Sequence, residues 1–382
     1  MSFNIVIDDA VVEAKQLFSP YGTPIIVPGR DIPMNASQAD ALIIRSRTQI
    51  TEQLLSENPR IRFIGSTVVG LDHVDQTACA RYGVTFYSAQ GCNARSVAEY
   101  VISQVVSYAV TQQRTFQSLT LAIIGVGHVG KQVEQLASAL GIKLLLNDPF
   151  RANSETSFAH TALTTCLTQA DITTLHTPLT EAGDYPTYHL INAKNIACLK
   201  TNALFINAAR GDIVDENALL TRTDLTFITD CWHNEPHINE RLLNASLLAT
   251  PHIAGHAWDA KYRGGSMAAD ALAQWLGKSK TPESVIPAQT GIYPASDNIG
   301  SRLHGNENAT AEQQLAQILQ HAYNFRQDDA ILRNTPTDKR AQVFEDYRRN
   351  YPMRREWTQR TVETTGLKKQ TMMWTKELEF LI

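Results

Sequence analysis

Leu121-Ala122-Ile123-Ile124-Gly125-Val126-Gly127-His128-Val129-Gly130 joins a short apolar run to a turn of regularly spaced glycines. Leu121 to Ile124 reads as a buried parallel strand. Gly125, Gly127 and Gly130 follow as G-x-G-x-x-G, and Lys131–Leu140 continues as a helix. In such a turn the first glycine allows the tight reversal, the second the approach of a pyrophosphate, and the third close helix–strand packing. The helix end that opens there presents free N–H groups and a positive dipole to an anion. A second strand, Lys143–Asn147, stops at Asp148. An acid roughly 20 residues beyond the glycines is placed to accept hydrogen bonds from a ribose. Glycine-rich turns also occur without any ligand. Strand, turn, helix, strand and acid in this order give the dinucleotide reading its weight.

Outward from that stretch the chain alternates strands and helices. The pattern predicts strands at Phe3–Ile7, Ile25–Val27, Ala41–Ile44, Arg62–Ile64 and Val84–Tyr87, with a helix at Val11–Phe18. Beyond the glycine turn it predicts strands near Leu121, Leu144 and Ile172, then Ala203–Asn207 and Thr226–Asp230. Alternation of this kind means α/β architecture with doubly wound parallel sheets. Ser96 with Glu99 three residues on reads as a capping box. It would open a long apolar helix that links two domains or packs at a subunit interface. Asp72 and Asp75 read as caps of a helix starting near Val74. Trp258–Gly277 forms one more helix, expected to cross back to the first domain.

The expected division is a substrate (lid) domain, 1–95, completed by 258–280; a nucleotide domain, 96–257; and a C-terminal α+β dimerisation domain, 281–382. The last begins with TPESVIPAQTGIYPASDNIG, a proline- and glycine-rich linker. It continues with a helix near Ala311–Tyr323 and the basic, helix-like run YRRNYPMRREW, and ends in apolar TMMWTKELEFLI.

The chain has 382 residues, 43% hydrophobic and 19% charged, enough for two or three domains with real cores. Its net charge of −4 argues against a nucleic-acid partner. No apolar run approaches the ~18 residues of a membrane helix. The start, MSFNIVIDDAVVEAK, lacks the basic and apolar regions of a signal peptide. Five scattered cysteines without a CxxC fit a reduced, cytoplasmic protein without structural zinc; no metal is expected.

Polar residues just past buried strands are the candidates for chemistry, because open α/β sheets bind ligands at the carboxyl ends of their strands. In the first domain these are Arg45, Ser46 and Arg47, which would equally suit a solvated loop. Gly65, Ser66 and Gly70 would admit a ligand close to the backbone. In the nucleotide domain three loops qualify: Phe205–Gly211 with Arg210, Asp230–Pro236 with Glu235, and Thr250–His256 with His252. A guanidinium there can hold a carboxylate through two parallel hydrogen bonds. An Arg, an acid and a His past strands of one parallel sheet would share an edge.

GVGHVG, HTPLT (His176–Thr180), NAARGDIVDE (Asn207–Glu216), the D-x-x-x-x-E-P of Asp230–Pro236 and TPHIAG (Thr250–Gly255) resemble, in order and spacing, the signatures of the NAD-dependent D-2-hydroxyacid dehydrogenases. VPGRDIP, IIRSRT, GCNA, and in the tail HGN, YNFRQDDAILR and YRRNYPMRREW resemble a branch of that family acting on a phosphorylated acid, so the likeness spans almost the whole chain. It implies NAD as cofactor, a small phosphorylated 2-hydroxy acid as substrate, and a homodimer formed through the C-terminal domain. It makes His252 the acid/base, Glu235 its partner, and Arg210 the holder of the substrate carboxylate. Gly125, Gly127, His128, Val129, Gly130 and Asp148 would bind the cofactor. His176, Thr177 and Pro178 would line it, with Ala208, Ala209, Asp230 and Gly255 nearby. Arg45, Ser46, Thr67, Val68 and His256 would meet substrate.

Two of these depart from the pattern: Val68 stands where the resemblance puts a threonine, and His256 where it puts a tyrosine. The phosphate needs cations, and Arg45, Arg47 or the tail cluster Arg348, Arg349, Arg354 and Arg355 could supply them. The tail cluster would either reach a partner's active site or lie as a basic helix face in solvent or salt bridges. Two further readings stay open: a phosphoglycerate- or glycerate-type dehydrogenase, and an NAD-sensing scaffold without activity.

Overall fold

The structure, a computed structural model, describes residues 3–279, 299 and 308–382. Apart from Ile299, the expected linker lies outside the described residues, as does HGN. The chain divides into two compact units. One runs to Asn93 and resumes at Ala257; the other starts at Ala94, continues to His256, and takes in the C-terminal residues.

The first unit is built on five parallel strands: β1 (Asn4–Asp8), β2 (Thr23–Val27), β3 (Ala41–Ile44), β4 (Phe63–Ser66) and β5 (Thr85–Ser88). They lie in the order β2-β1-β3-β4-β5. The chain moves from β1 out to β2 and back to β3 on the other side. The gap between the ends of β1 and β3 is therefore the sheet's switch point. Arg45 and Ser46 follow β3 directly. Helix Trp258–Trp275 packs its small face, Ala268, Ala269 and Ala273, into this unit's core with Ile5, Ile7 and Ile43. The helix expected at Val74 starts later, at Gln76, with Asp75 alone as cap: its carboxylate accepts the Ala78 N–H at 2.8 Å. Helix Val11–Phe18 shortens to Ala14–Phe18.

The second unit carries six parallel strands: β6 (Thr120–Ile124), β7 (Lys143–Asn147), β8 (Ile172–Leu175), β9 (Leu204–Asn207), β10 (Thr226–Thr229) and β11 (Ser246–Ala249). Their order is β11-β10-β9-β8-β6-β7, so the switch point lies between β6 and β8. β11 was not among the expected strands. Its sequence, Ser-Leu-Leu-Ala, has no β-branched residue and continues directly from helix Glu240–Ala245.

Helix Ala94–Thr111 is buried inside this unit, against helix His128–Ala139 and the C-terminal helix Ala311–Ala322. The capping box does not form, because the helix starts two residues before Ser96. Ser96 instead donates to buried Glu356 at 2.6 Å, and Glu99 accepts from Arg95 at 2.7 Å and from the Trp357 N–H at 2.9 Å. Burial pushes the Glu99 carboxyl up to about 8, with Arg95 opposing.

The described tail is largely helical: Ala311–Ala322, Arg326–Arg333, Thr337–Arg349 and Lys369–Glu377. Its β component is two isolated bridges, Ile299–Val362 and Thr361–Leu381. Leu315, Ile318, Trp357 and Trp374 share one core with Val101, Val105 and Phe116 of the nucleotide part. YRRNYPMRREW is not a helix throughout. The helix stops at Arg349, since Pro352 lacks an N–H and disfavours helical backbone before it, and the chain runs extended to Glu356. Nor is it a solvent face: Arg354 is 2% exposed. No helix among the described residues is long and apolar enough to cross a membrane.

Candidate active site

The glycine turn leaves β6 at the switch point. Gly125 has φ +88°, and a Cβ there would lie 2.7 Å from the Thr177 nitrogen. The turn thus packs against the loop after β8. Gly130 lies equally tight beneath it, where a Cβ would come 2.1 Å from the Gly125 carbonyl. At Gly127 a Cβ would meet nothing within 4 Å, leaving space at the start of helix His128–Ala139. His128 is exposed there and Val129 half-buried.

Asp148, at the end of β7, accepts the Val126 N–H at 2.9 Å and the Arg151 N–H at 3.0 Å, one on each oxygen. Each oxygen keeps a second lone pair for a ribose hydroxyl. His176 bonds Thr174 Oγ1 through Nε2 at 3.0 Å, and burial pushes its pKa down to about 3, so the ring is neutral. His176 Nδ1 and Thr177 Oγ1 are buried polar atoms without a hydrogen-bond partner among the described residues. Together with the open Gly127 they fit a dinucleotide laid along the β6–β8 ends.

Arg151 follows Asp148, where a free cation would attract a 2′-phosphate. Here Glu155 grips it, Nε to Oε1 at 2.9 Å and Nη2 to Oε2 at 2.7 Å, and Phe158 lies 4.1 Å beneath the guanidinium. Glu155→Gln is expected to raise kcat/KM for NADP about two- to fivefold, the worth of one partly exposed ion pair. Steady-state rates with both cofactors check it; an unchanged ratio removes Glu155 from cofactor choice.

Three loops past β9, β10 and β11 hold the remaining candidates of the second unit. His252 Nδ1 and Glu235 Oε2 are 2.8 Å apart, so two residues 17 apart in sequence form one unit. Glu235 Oε1 accepts the Trp232 N–H at 2.8 Å. Burial works to raise the Glu235 carboxyl. The His252 charge and hydrogen bond, the Arg348 charge and the Trp232 N–H outweigh it and hold the carboxyl below its usual range.

Asp230, expected near the cofactor, is 1% exposed and spends its carboxylate on the His252 loop. It accepts Thr250 Oγ1 at 2.6 Å, the Ile253 N–H at 2.8 Å and the Ala254 N–H at 3.0 Å. Thr250 in turn meets the Tyr100 hydroxyl at 2.9 Å. His252 itself has φ +53°, a left-handed backbone rarely held outside glycine unless neighbours impose it.

Arg210 is half-buried past β9. Its Nη1 donates to the Ala209 carbonyl at 2.8 Å, and Asn207 ties the loop by donating to the Arg210 carbonyl at 3.0 Å. Buried Ala209 and half-buried Ala208 form the floor of that loop. Cys231 Sγ lies with a Glu235 oxygen and a His252 nitrogen within 4.8 Å, a spacing that suits a metal ion. Burial holds the thiol protonated and the other two residues are bonded to each other, so the trio reads as an acid–base pair beside a core cysteine.

In the first unit Arg45 is half-buried and Ser46 exposed past β3. Thr67 turns inward: it is 2% exposed and its hydroxyl donates to the Ile44 carbonyl at 3.3 Å. Val68 is half-buried, its carbonyl accepting Ser88 Oγ at 2.9 Å. In the second unit the His256 ring meets Tyr351 edge-on at 5.6 Å, and Gly255 and Pro178 lie partly or fully exposed. Sequence reasoning missed Thr250 and Trp232 as loop anchors, and it named Arg354 only as a cation of the tail cluster, not as a buried partner of this loop.

Residues 93–254 match the family model of the D-isomer specific 2-hydroxyacid dehydrogenase NAD binding domain. Residues 300–378 match a domain of unknown function, DUF3410. The erythronate-4-phosphate dehydrogenase of Hydrogenovibrio crunogenus is 45% identical over 367 residues, covering 95% of each chain. The chain belongs to the erythronate-4-phosphate dehydrogenase family. An Escherichia coli O157:H7 member of this family is 38% identical over 362 residues, covering 93% of this chain and 92% of its own. In fold the chain is similar to an NAD+-bound 3-phosphoglycerate dehydrogenase from Entamoeba histolytica. That likeness has a TM-score of 0.60 at 24% identity, over 72% of this chain and 96% of that one. The chain is therefore an NAD-dependent dehydrogenase with two Rossmann-like parallel-sheet units and a helical C-terminal region.

Proposed function

We propose that the chain oxidises 4-phospho-D-erythronate at C2 to (R)-3-hydroxy-2-oxo-4-phosphooxybutanoate, a step in pyridoxal 5′-phosphate biosynthesis, in the cytoplasm. The observation that carries this reading is identity of 38–45% to erythronate-4-phosphate dehydrogenases over more than nine-tenths of the chain, tail included. The His252–Glu235 pair supports it.

When bound, NAD supplies the hydride acceptor; the protein supplies position, charge and a proton path. Gly125, Gly127, Gly130 and Asp148 hold the dinucleotide, with His176 and Thr177 along it. Glu235 occupies His252 Nδ1, which leaves Nε2 as the nitrogen that takes the C2 hydroxyl proton. An anionic Glu235 fixes that tautomer and stabilises the imidazolium that forms. Arg210 holds the substrate carboxylate as a bidentate partner. Arg45, Ser46 and Val68 are the proposed substrate contacts of the first unit, and His256 of the second.

The tail carries exposed Met353, Met372, Met373, Leu381 and Ile382, the apolar surface through which the proposed homodimer forms. Sedimentation of the full chain tests that.

The activity test follows reduced cofactor by absorbance with 4-phosphoerythronate, 3-phosphoglycerate, glycerate and other 2-hydroxy acids, including the reverse reaction with the 2-oxo acids. The expected result is a kcat/KM highest for 4-phosphoerythronate. Preference for 3-phosphoglycerate or glycerate would replace the substrate assignment. No turnover in either direction would leave an NAD-sensing scaffold.

A further inference from the structure

We infer that Arg354, in the segment of unknown function, is a positioning residue that clamps the His252 loop from its carbonyl side. The inference rests on the reading of His252 as the acid/base. Arg354 comes from a stretch about a hundred residues beyond that loop, yet it is 2% exposed and its guanidinium lies directly beneath the loop. Nη2 donates to the Ala254 carbonyl at 2.5 Å and the Ser96 carbonyl at 3.1 Å, and Nη1 reaches the Ile253 carbonyl at 3.4 Å. The N–H groups of the same two residues go to Asp230. Both faces of the chain immediately after His252 are therefore fixed by charged groups, an anion on the N–H side and a cation on the carbonyl side.

A buried guanidinium is costly unless its charge and donors are matched. The tail supplies the match. Phe325 and Tyr323 present rings 5.2 and 5.7 Å from the guanidinium carbon. Fully buried Asp328 is close enough for the Arg354 charge to favour its ionised form against burial, which pushes the carboxyl up to about 6, and it accepts three hydroxyls, Tyr347 at 2.6 Å and Tyr323 and Tyr351 at 3.1 Å. The same Tyr351 lies edge-on to His256 at the far end of the loop.

His252 needs such a clamp. Its φ of +53° is unfavourable for a residue with a Cβ and persists only where the surroundings over-determine it. Released on the carbonyl side, the Ile253 and Ala254 peptides can rotate, His252 can relax toward negative φ, and the ring swings away from Glu235. Ion pairs with the solvent-exposed surface would not have this effect. The tail thus completes the acid–base centre of its own chain, in addition to any part in dimerisation.

The test uses the full-length protein, because the tail shares the nucleotide unit's core. Arg354→Lys keeps the charge with fewer donors; Arg354→Gln keeps one donor and loses the charge. Folding is followed by circular dichroism and NADH binding by fluorescence. Both variants are expected to fold and bind NADH as the parent does. Their kcat should fall by about 10- to 100-fold, the scale of an ångström-sized misplacement, with Lys the milder. KM for NAD should stay unchanged. Nitrogen NMR of the His252 ring, its signal identified by its loss in His252→Ala, should show the Glu235-bonded Nδ1–H weakened in Arg354→Gln. That readout stands even if the parent turned over no 2-hydroxy acid, a result that would sink the functional reading instead. Folded variants with parental kcat and an unchanged ring signal overturn the inference. So does loss of folding in both variants, which would assign Arg354 to stability alone.

Discussion

Replacing His252 by alanine is expected to lower kcat by about 10²–10⁴-fold, the usual contribution of a positioned acid/base, with NADH affinity unchanged. The expectation follows from how the ring is held. Its Nδ1 is 2.8 Å from Glu235 Oε2, and the Glu235 carboxyl lies below its usual range despite burial, so near neutral pH it is an anion facing the imidazole. One nitrogen is thus committed and the other is left for substrate. The side chains of His252 and Glu235 are 28% and 19% exposed, open enough to meet a small acid and shielded enough for the pair to count. Alanine removes the proton acceptor but leaves Asp230, Thr250 and the two clamped peptides in place, so the loop persists. Glu235→Gln keeps a hydrogen-bond partner but loses the anion, and its kcat is expected between the two. Steady-state rates and NADH fluorescence titration distinguish the cases. Parental turnover in His252→Ala would exclude it as the acid/base.

The nucleotide core was legible because local rules and tertiary structure agree there. Thr120–Ile124 and Lys143–Asn147 are apolar runs bounded by glycine or an acid, and both strands match the reading within a residue. Arg210, Glu235 and His252 were singled out as polar residues past strands, and each does lie beyond a strand of one parallel sheet, although β11, the strand before His252, was not itself expected. Where the reading failed, partners distant in sequence decided the outcome. Ser96 and Glu99 have the spacing of a capping box, but Glu356 and Trp357, some 260 residues on, recruit them into a buried network inside the helix. Arg354 belongs to a basic run that reads either as reaching a partner's active site or as a helix face in solvent or salt bridges. Nothing near it in sequence announces that three carbonyls, two rings and a buried carboxylate await it. Burial of a charge is a tertiary property, and the pattern rules that locate apolar faces do not see it. Thr67, expected through the resemblance to meet substrate, also donates its hydroxyl to the Ile44 carbonyl, a partner that its sequence neighbours do not show.

Gly211→Ala is expected to be the most damaging single methyl in the second unit. A Cβ at Gly211 would lie 1.9 Å from the Trp232 carbonyl carbon, 2.1 Å from its oxygen and 2.2 Å from the His233 nitrogen. All three are backbone atoms, so no side chain can swing aside. Trp232 cannot retreat either. It is 2% exposed, its N–H is bound by Glu235, and its indole Nε1 donates to the Thr250 carbonyl at 2.9 Å. Separating the two backbones would therefore push Glu235 from His252 and strain the anchor of the His252 loop, while moving Arg210, the residue just before. A stability loss of about 3 kcal/mol is expected, the upper end for overpacking. A fall in kcat on the order of 10²-fold is expected from the displaced pair. Urea unfolding and steady-state rates measure the two. Gly127→Ala is the control, since a Cβ there would meet nothing within 4 Å. Its stability should be parental, and its loss should fall on NAD affinity, because the methyl stands where the pyrophosphate must approach. Parental stability and kcat in Gly211→Ala would show that the β9 and β10 loops can part without cost. In that case the contact at Trp232 would not be what sets the distance between Arg210 and Glu235.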